Sequence, residues 1–254
     1  MKKLCYIVFS ISILASGQET NPVIFEEHFN GTQLNESYWN YELGDGCPKL
    51  CGWGNNERQL YTKENVTINN GFLTITATKN DAKYQSGRIT TKRKVEFQYG
   101  TIEVRAKLPI GKGLWPAIWM LGNDIDTNTW PACGEIDIME YVGKKPHEIH
   151  TTLHTPDSFG NSKNTKITTN KNIEQGFHNY KTSWSKDSIS FYIDDQLVYT
   201  FSPEFKNERT WPFNKPFYII LNMAIGGNFG GPEVDDSIFP QEFIIDYVKV
   251  YQEK

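Results

Sequence analysis

Apolar residues in this chain recur at every second position and nowhere hold a helical period for longer than two turns. Leu73-Ile75-Ala77, Ile102-Val104-Ala106-Leu108, Ile189-Phe191-Ile193 and Val248-Val250 each alternate with polar neighbours and end at Gly, Asn, Asp or Pro. That period places one face of a strand in a core and the other toward water. Phe217–Leu221 and Phe243–Ile245 are continuous apolar runs, the pattern of inner strands covered on both faces. Turn clusters at Asn69-Asn70-Gly71, Asp194-Asp195 and Gly226-Gly227-Asn228 separate the strands. Many short strands with such punctuation predict an all-β fold, an antiparallel sandwich of the jelly-roll kind. The 254 residues suit one such domain, and a composition 38% apolar and 14% aromatic excludes disorder. No linker or repeat divides residues 18–254, so they are read as a single catalytic or binding domain.

The first seventeen residues are read apart. Lys2 and Lys3 precede an apolar run, Leu4 to Ala15, that ends in the small residues Ala15, Ser16 and Gly17. This is the three-part pattern of a cleavable secretory signal peptide, residues 1–17. A bilayer span needs about 20 apolar residues, more than the run supplies. No later segment could span a membrane, and the mature protein is expected outside the cytoplasm, secreted or periplasmic, as a monomer. Losing Lys2 and Lys3 leaves 24 basic against 30 acidic side chains, a net charge of −6. Without a Lys/Arg cluster, no nucleic-acid partner is expected. Of the three remaining cysteines, Cys47 and Cys51 can close a small bridge within a Gly/Pro loop. Cys133 then stays unpaired, as a small buried hydrophobe.

The stretch richest in chemistry is Gly134-Glu135-Ile136-Asp137-Ile138-Met139-Glu140, three carboxylates inside an otherwise apolar strand. In a regular strand Glu135 and Asp137 share a face and Glu140 points to the other. A bulge near Ile138-Met139 adds the residue of offset that returns Glu140 to the acidic face. The glutamate Cα atoms then lie about four strand steps apart, roughly 13 Å at about 3.3 Å per residue. Two long side chains can close most of that gap, toward the roughly 5–5.5 Å separation of a nucleophile and an acid/base in retaining glycosidases. Crowding three acids in one place pushes their pKa values apart and leaves one glutamate protonated as the acid.

These residues resemble the bulged signature of glycoside hydrolase family sixteen, in its bacterial laminarinase (endo-β-1,3-glucanase) branch. The blocks Trp53-Gly54-Asn55-Asn56-Glu57, Ser86-Gly87-Arg88, Leu114-Trp115-Pro116-Ala117-Ile118-Trp119-Met120 and Leu221-Asn222-Met223-Ala224-Ile225-Gly226-Gly227 are similar to that branch as well. The resemblance implies a concanavalin-like jelly roll with a substrate cleft on its concave face. It implies Glu135 as nucleophile, Glu140 as general acid/base, and Asp137 as the residue that orients the nucleophile, with no cofactor for catalysis. The implied reaction is endo-hydrolysis of a polysaccharide, β-1,3-glucan, with retention of configuration. It further implies a structural calcium ion at backbone oxygens of His28 and Gly71 with the carboxylate of Asp246, a mixed hard-oxygen set.

A polysaccharide cleft needs flat apolar platforms and hydroxyl-binding polar groups. Trp115, Trp119 and Trp130 are the candidate platforms; Trp115 and Trp119 share a face in a regular strand. Trp39 and Trp184 are assigned to the core. Asn55, Asn56 and Asn222 could present amides to hydroxyls, although Asn55 and Asn56 also suit a turn. The resemblance implies that Arg88 touches sugar or the surroundings of the nucleophile, against the alternative of a structural ion pair. Alternation puts His150, Thr152 and His154 on one face, with His154 the expected cleft contact, while a zinc site on the two histidines lacks a third ligand. Asn35-Glu36-Ser37 and Asn65-Val66-Thr67 match the glycosylation acceptor pattern. Two other readings compete: hydrolysis of mixed-linkage β-1,3-1,4-glucan or a sulfated galactan, and a non-catalytic lectin. The carboxylate trio argues against the lectin.

Overall fold

Residues 22–252 are described by the structure, a computed structural model, and the leader expected at 1–17 lies outside them. The chain folds into two sheets, and the alternating segments all become strands of the first. One sheet runs from Gln196–Phe201 through Ile189–Ile193, His178–Trp184, Gly100–Lys107, Gln241–Tyr251, Phe72–Asn80 and Lys83–Ser86 to Gln59–Tyr61. The other runs from Thr165–Thr169 through Glu148–His154, Glu135–Tyr141, Leu114–Gly122, Phe217–Ile225 and Arg88–Thr90 to Asn40–Tyr41. Among these strands only Gln59–Tyr61 and Lys83–Ser86 pair in parallel. Among the described residues helix is confined to short turns such as Gly227–Gly230, which forms where a plain turn is expected.

Alternation explains the core. Leu73, Ile75 and Ala77 from one sheet meet Ile118, Met120 and Ile136 from the other, all fully buried. Each such aliphatic side chain contributes about 1.5–3 kcal/mol by leaving water. Trp39 and Trp184 are in this core as expected, and Trp211 joins them. The two continuous apolar runs behave differently. Phe217–Ile225 is buried along its whole length. Within Gln241–Tyr251, however, Phe243 and Ile245 point inward while Ile244 is half-buried on the outer face. The expectation that Phe243–Ile245 is covered on both sides is therefore corrected: its sheet has core on one face only.

Cys47 and Cys51 form a disulfide with Cα atoms 4.2 Å apart, and Cys133 is a buried free thiol. Burial pushes that thiol up to about 12, so it stays protonated and inert at neutral pH. Asn65 is unsuited to glycosylation in the folded chain. Its buried amide donates to the Thr76 carbonyl at 2.6 Å and to Thr78 at 3.2 Å. Asn35 remains exposed. Among the described residues, no helix is long and apolar enough to cross a membrane.

Candidate active site

The acidic strand Glu135–Tyr141 contains the expected bulge. Asp137 pairs with Thr152 and Glu140 with His150, so Ile138 and Met139 together oppose Thr151 alone. The register to the other neighbour shifts at the same place, with Trp119 opposite Asp137 and Ile118 opposite Met139. Ile136, Ile138, Met139 and Tyr141 thus all enter the core, and Glu135, Asp137 and Glu140 share the opposite face. Gly134, at φ 77°, immediately precedes the strand. A Cβ there would stand 3.0 Å from Pro212 and 3.1 Å from Phe217, so this entry requires glycine.

Pairing across the sheet arranges the site in transverse rows. One row is His150, Glu140, Ala117, Asn222 and Arg88; the next is Thr165, Thr152, Asp137 and Trp119. His154 lies opposite Glu135. Although these side chains leave the outer face of their sheet, Asp137, His150, His154 and Asn222 are all buried. The face is therefore recessed between loops, as a groove.

On the Arg88 side, hydrogen bonds form a continuous chain. Trp119 Nε1 donates to Asn222 Oδ1 at 2.7 Å, Asn222 Nδ2 donates to Tyr61 Oη at 3.0 Å, and Tyr61 donates to Glu57 Oε2 at 3.1 Å. Asn55 and Gln59 also donate to Glu57. Arg88 pairs with Glu42, and its guanidinium lies 4.4 Å from the Trp53 ring and 5.0 Å from that of Trp119. It thus takes the structural ion pair while still stacking on two groove aromatics. Asn56 is placed elsewhere: it sits on the exposed outer rim, bonding Asn228 at 2.8 Å. Sequence reasoning missed Glu42, which is 46 positions from Arg88, and Tyr61, whose apolar ring hides a bridging hydroxyl.

Trp115 and Phe229 border Glu140. Trp115 Nε1 donates to Glu140 Oε1 at 3.0 Å, and the Phe229 ring stands edge-on to Trp115 and His150. At the other end, His154 Nε2 lies 3.3 Å from Asp137 Oδ2 and 3.7 Å from Glu135 Oε1, with Trp130 packed on the imidazole. Donor atoms of Glu135, Asp137 and His154 fall within 4.8 Å of one another. They could jointly hold a cation, and they are equally close enough to share protons.

Burial dominates the electrostatics. Glu135 is pushed up to about 8 by burial and then by the charge of Asp137, with His154 pulling the other way. Glu140 is pushed up to about 7, again by burial first, with His154 opposing. Asp137, the most enclosed of the three, is raised well above the carboxylate range by burial and by Glu140. A proton held by Asp137 removes the charge that raises Glu135 and lets Asp137 donate to it, favouring ionised Glu135 beside protonated Glu140.

His28, Gly71 and Asp246 are brought to one level of the other sheet, since Glu27 pairs with Val248 and Leu73 with Ile245. The donor types suit calcium, but the Asp246 carboxylate is already paired with Arg105.

A jelly-roll sandwich with carboxylates, aromatic rings and amides lining a groove defines a carbohydrate-active protein. The family model for glycosyl hydrolases family 16 matches residues 54–248, and the chain belongs to that family. A crystal structure of laminarinase from Flavobacterium sp. UMI-01 superposes with a TM-score of 0.90 at 63% identity, covering 91% of this chain and 100% of that one. Glucan endo-1,3-beta-glucosidase A1 of Niallia circulans is 37% identical over 95% of this chain, which spans only 40% of that relative's length. A beta-glucanase of Rhodothermus marinus is 38% identical, with 91% of this chain and 85% of the relative covered.

Proposed function

We propose that this chain is an exported endo-β-1,3-glucanase that cleaves laminarin-type glucan with retention of anomeric configuration. The observation that carries the reading is the bulge at Ile138-Met139, which sets Glu135 and Glu140 on one recessed face with Asp137 between them. Such a pair suits a double displacement. Glu135, ionised and bonded by Asp137, attacks the anomeric carbon while Glu140 gives its proton to the departing glycosidic oxygen. Water then releases the sugar from Glu135, with Glu140 taking the water's proton. Trp115 holds Glu140 in position through its indole N–H. Trp119, Asn222, Arg88 and Trp130 supply the stacking faces and hydroxyl contacts that orient the glucan. The net negative charge suits a neutral glucan better than a sulfated galactan. Export rests on the leader at residues 1–17.

We also propose that calcium binds through backbone oxygens of His28 and Gly71 and shares Asp246 with Arg105, in a structural role on the other sheet.

The mature protein and a Glu135→Gln variant, incubated with laminarin, mixed-linkage β-glucan and carrageenan, test the reading by release of reducing ends. Release from laminarin by the parent alone is expected. Equal release by both proteins overturns Glu135 as nucleophile, and no release from any glucan favours the lectin.

A further inference from the structure

Beyond Trp130 the groove wall continues into a residue that neither motif nor mechanism uses. Phe159 packs edge-on against Trp130 with ring centroids 5.4 Å apart, and Trp130 in turn lies 5.7 Å from His154, which touches Asp137. Phe159 is 51% exposed and Trp130 40% exposed. A lone apolar ring in water needs no explanation, but two in contact, continuous with a buried catalytic row, form a patch of the kind that binds.

The loop carrying Phe159 is held firmly. Thr155 and Ser158 form a reciprocal backbone bridge at 2.9 Å. Ser162 donates to the Leu153 carbonyl at 2.8 Å, and Lys163 N–H donates to Ser158 Oγ at 2.8 Å. Asp157 is tied to Arg209 by an ion pair at 2.6 Å and by a backbone bond at 3.1 Å. These attachments flank Phe159 on both sides, and its ring rests against Trp130, so the loop presents the ring to solvent beside the groove. Preorganised aromatic area of this sort binds at low entropic cost.

We propose that Phe159, with Trp130, forms an outlying sugar platform on the side of the acidic strand opposite Arg88. Its occupant is a pyranose unit of the same glucan chain, further from the scissile bond than the sugar beside His154. Continuity with the catalytic row selects this occupant over an unrelated partner. The flat ring and the absence of a free charge at its tip match the apolar face of a neutral sugar. This inference rests on the glucanase reading and deepens it, making Phe159 a determinant of how long a chain the groove senses.

The test uses Glu135→Gln as a non-hydrolysing background and measures affinity by calorimetry for laminari-oligosaccharides of increasing length, with and without Phe159→Ala. The expected result is a plateau of affinity reached at a shorter chain in the Phe159→Ala protein, with the longest ligands losing roughly tenfold. Phe159→Trp restores the longer plateau. An unchanged length profile in Phe159→Ala overturns the platform, as does an equal loss at every length. If Glu135→Gln binds no laminari-oligosaccharide while the parent releases no sugar from laminarin, the glucanase reading itself has failed.

Discussion

The two flanks of the acidic strand are built on opposite principles. Toward Arg88, nearly every polar atom is spoken for: Trp119, Asn222, Tyr61 and Glu57 form one hydrogen-bond chain, and Arg88 is clamped by Glu42 between two indole rings. Toward Thr165–Thr169 the wall is aromatic and partly bare, with no hydrogen bond made by His150 Nε2 or His154 Nδ1 and exposed rings at Trp130 and Phe159. A satisfied polar network is rigid and selective, because altering one member strands the others. An aromatic wall tolerates sliding and variation, since stacking needs a face and not an angle. The difference teaches that one flank suits fixed recognition of sugar hydroxyls and the other suits a chain that must leave or be replaced.

Substitutions ought to separate the catalytic centre from the two flanks. The largest effect belongs to neither flank: Glu135→Gln is expected to lower kcat/KM on laminarin by roughly 10⁴ or more, by reducing-end assay. On the polar flank, Arg88→Ala leaves Glu42 and the two indoles without their partner. It should cost about 3 kcal/mol of stability as well as activity, read as a drop of roughly 6–12 °C in Tm. On the aromatic flank Phe159→Ala should leave stability within about 0.5 kcal/mol, since about half of the ring is already in water. Equal Tm losses at the two positions would erase the distinction between the flanks.

The pH response probes the strand between them. The Glu140 carboxyl is raised to about 7 in the folded state, so that state binds its proton more tightly than the unfolded chain does. Its stabilisation is complete below the unfolded value near 4.5 and is lost as pH rises through about 7. Glu140→Gln, neutral at every pH, should therefore gain Tm relative to the parent on going from pH 5 to pH 8, by roughly 2–4 °C. Activity of the parent should fall above about pH 7, as Glu140 loses the proton it must donate. Smallest of all, chelation should move Tm by about 2 °C or less, since Asp246 has Arg105 as a partner without any metal.

The alternation and the acidic strand were legible in the sequence because each is local. Period two exposes the buried face of Phe72–Asn80 directly, and the count from Glu135 to Glu140 demands a bulge that Ile138 and Met139 then form. Trp115 and Trp119 share the groove face for the same reason. What escaped reading is what long-range pairing decides. Nothing near Arg88 points to Glu42, and the run Phe243–Ile245 does not reveal that its sheet has core on one face only. Asn65 carries a glycosylation pattern, yet the neighbouring strand takes up its amide. Phe159 sits in a Ser/Gly/Asn loop whose pinning bonds no periodicity announces.

The central claim is that Glu135 and Glu140 act on the same glucan from one face of a bulged strand, through a glycosyl bond to Glu135. The anomeric form of the sugar first released from laminarin tests it most directly, by proton NMR within the first turnovers and before mutarotation. The account predicts that the new reducing end appears as the β anomer and relaxes to the α/β mixture. Initial appearance of the α anomer would mean that water, not Glu135, attacks the sugar, and would contradict the assignment.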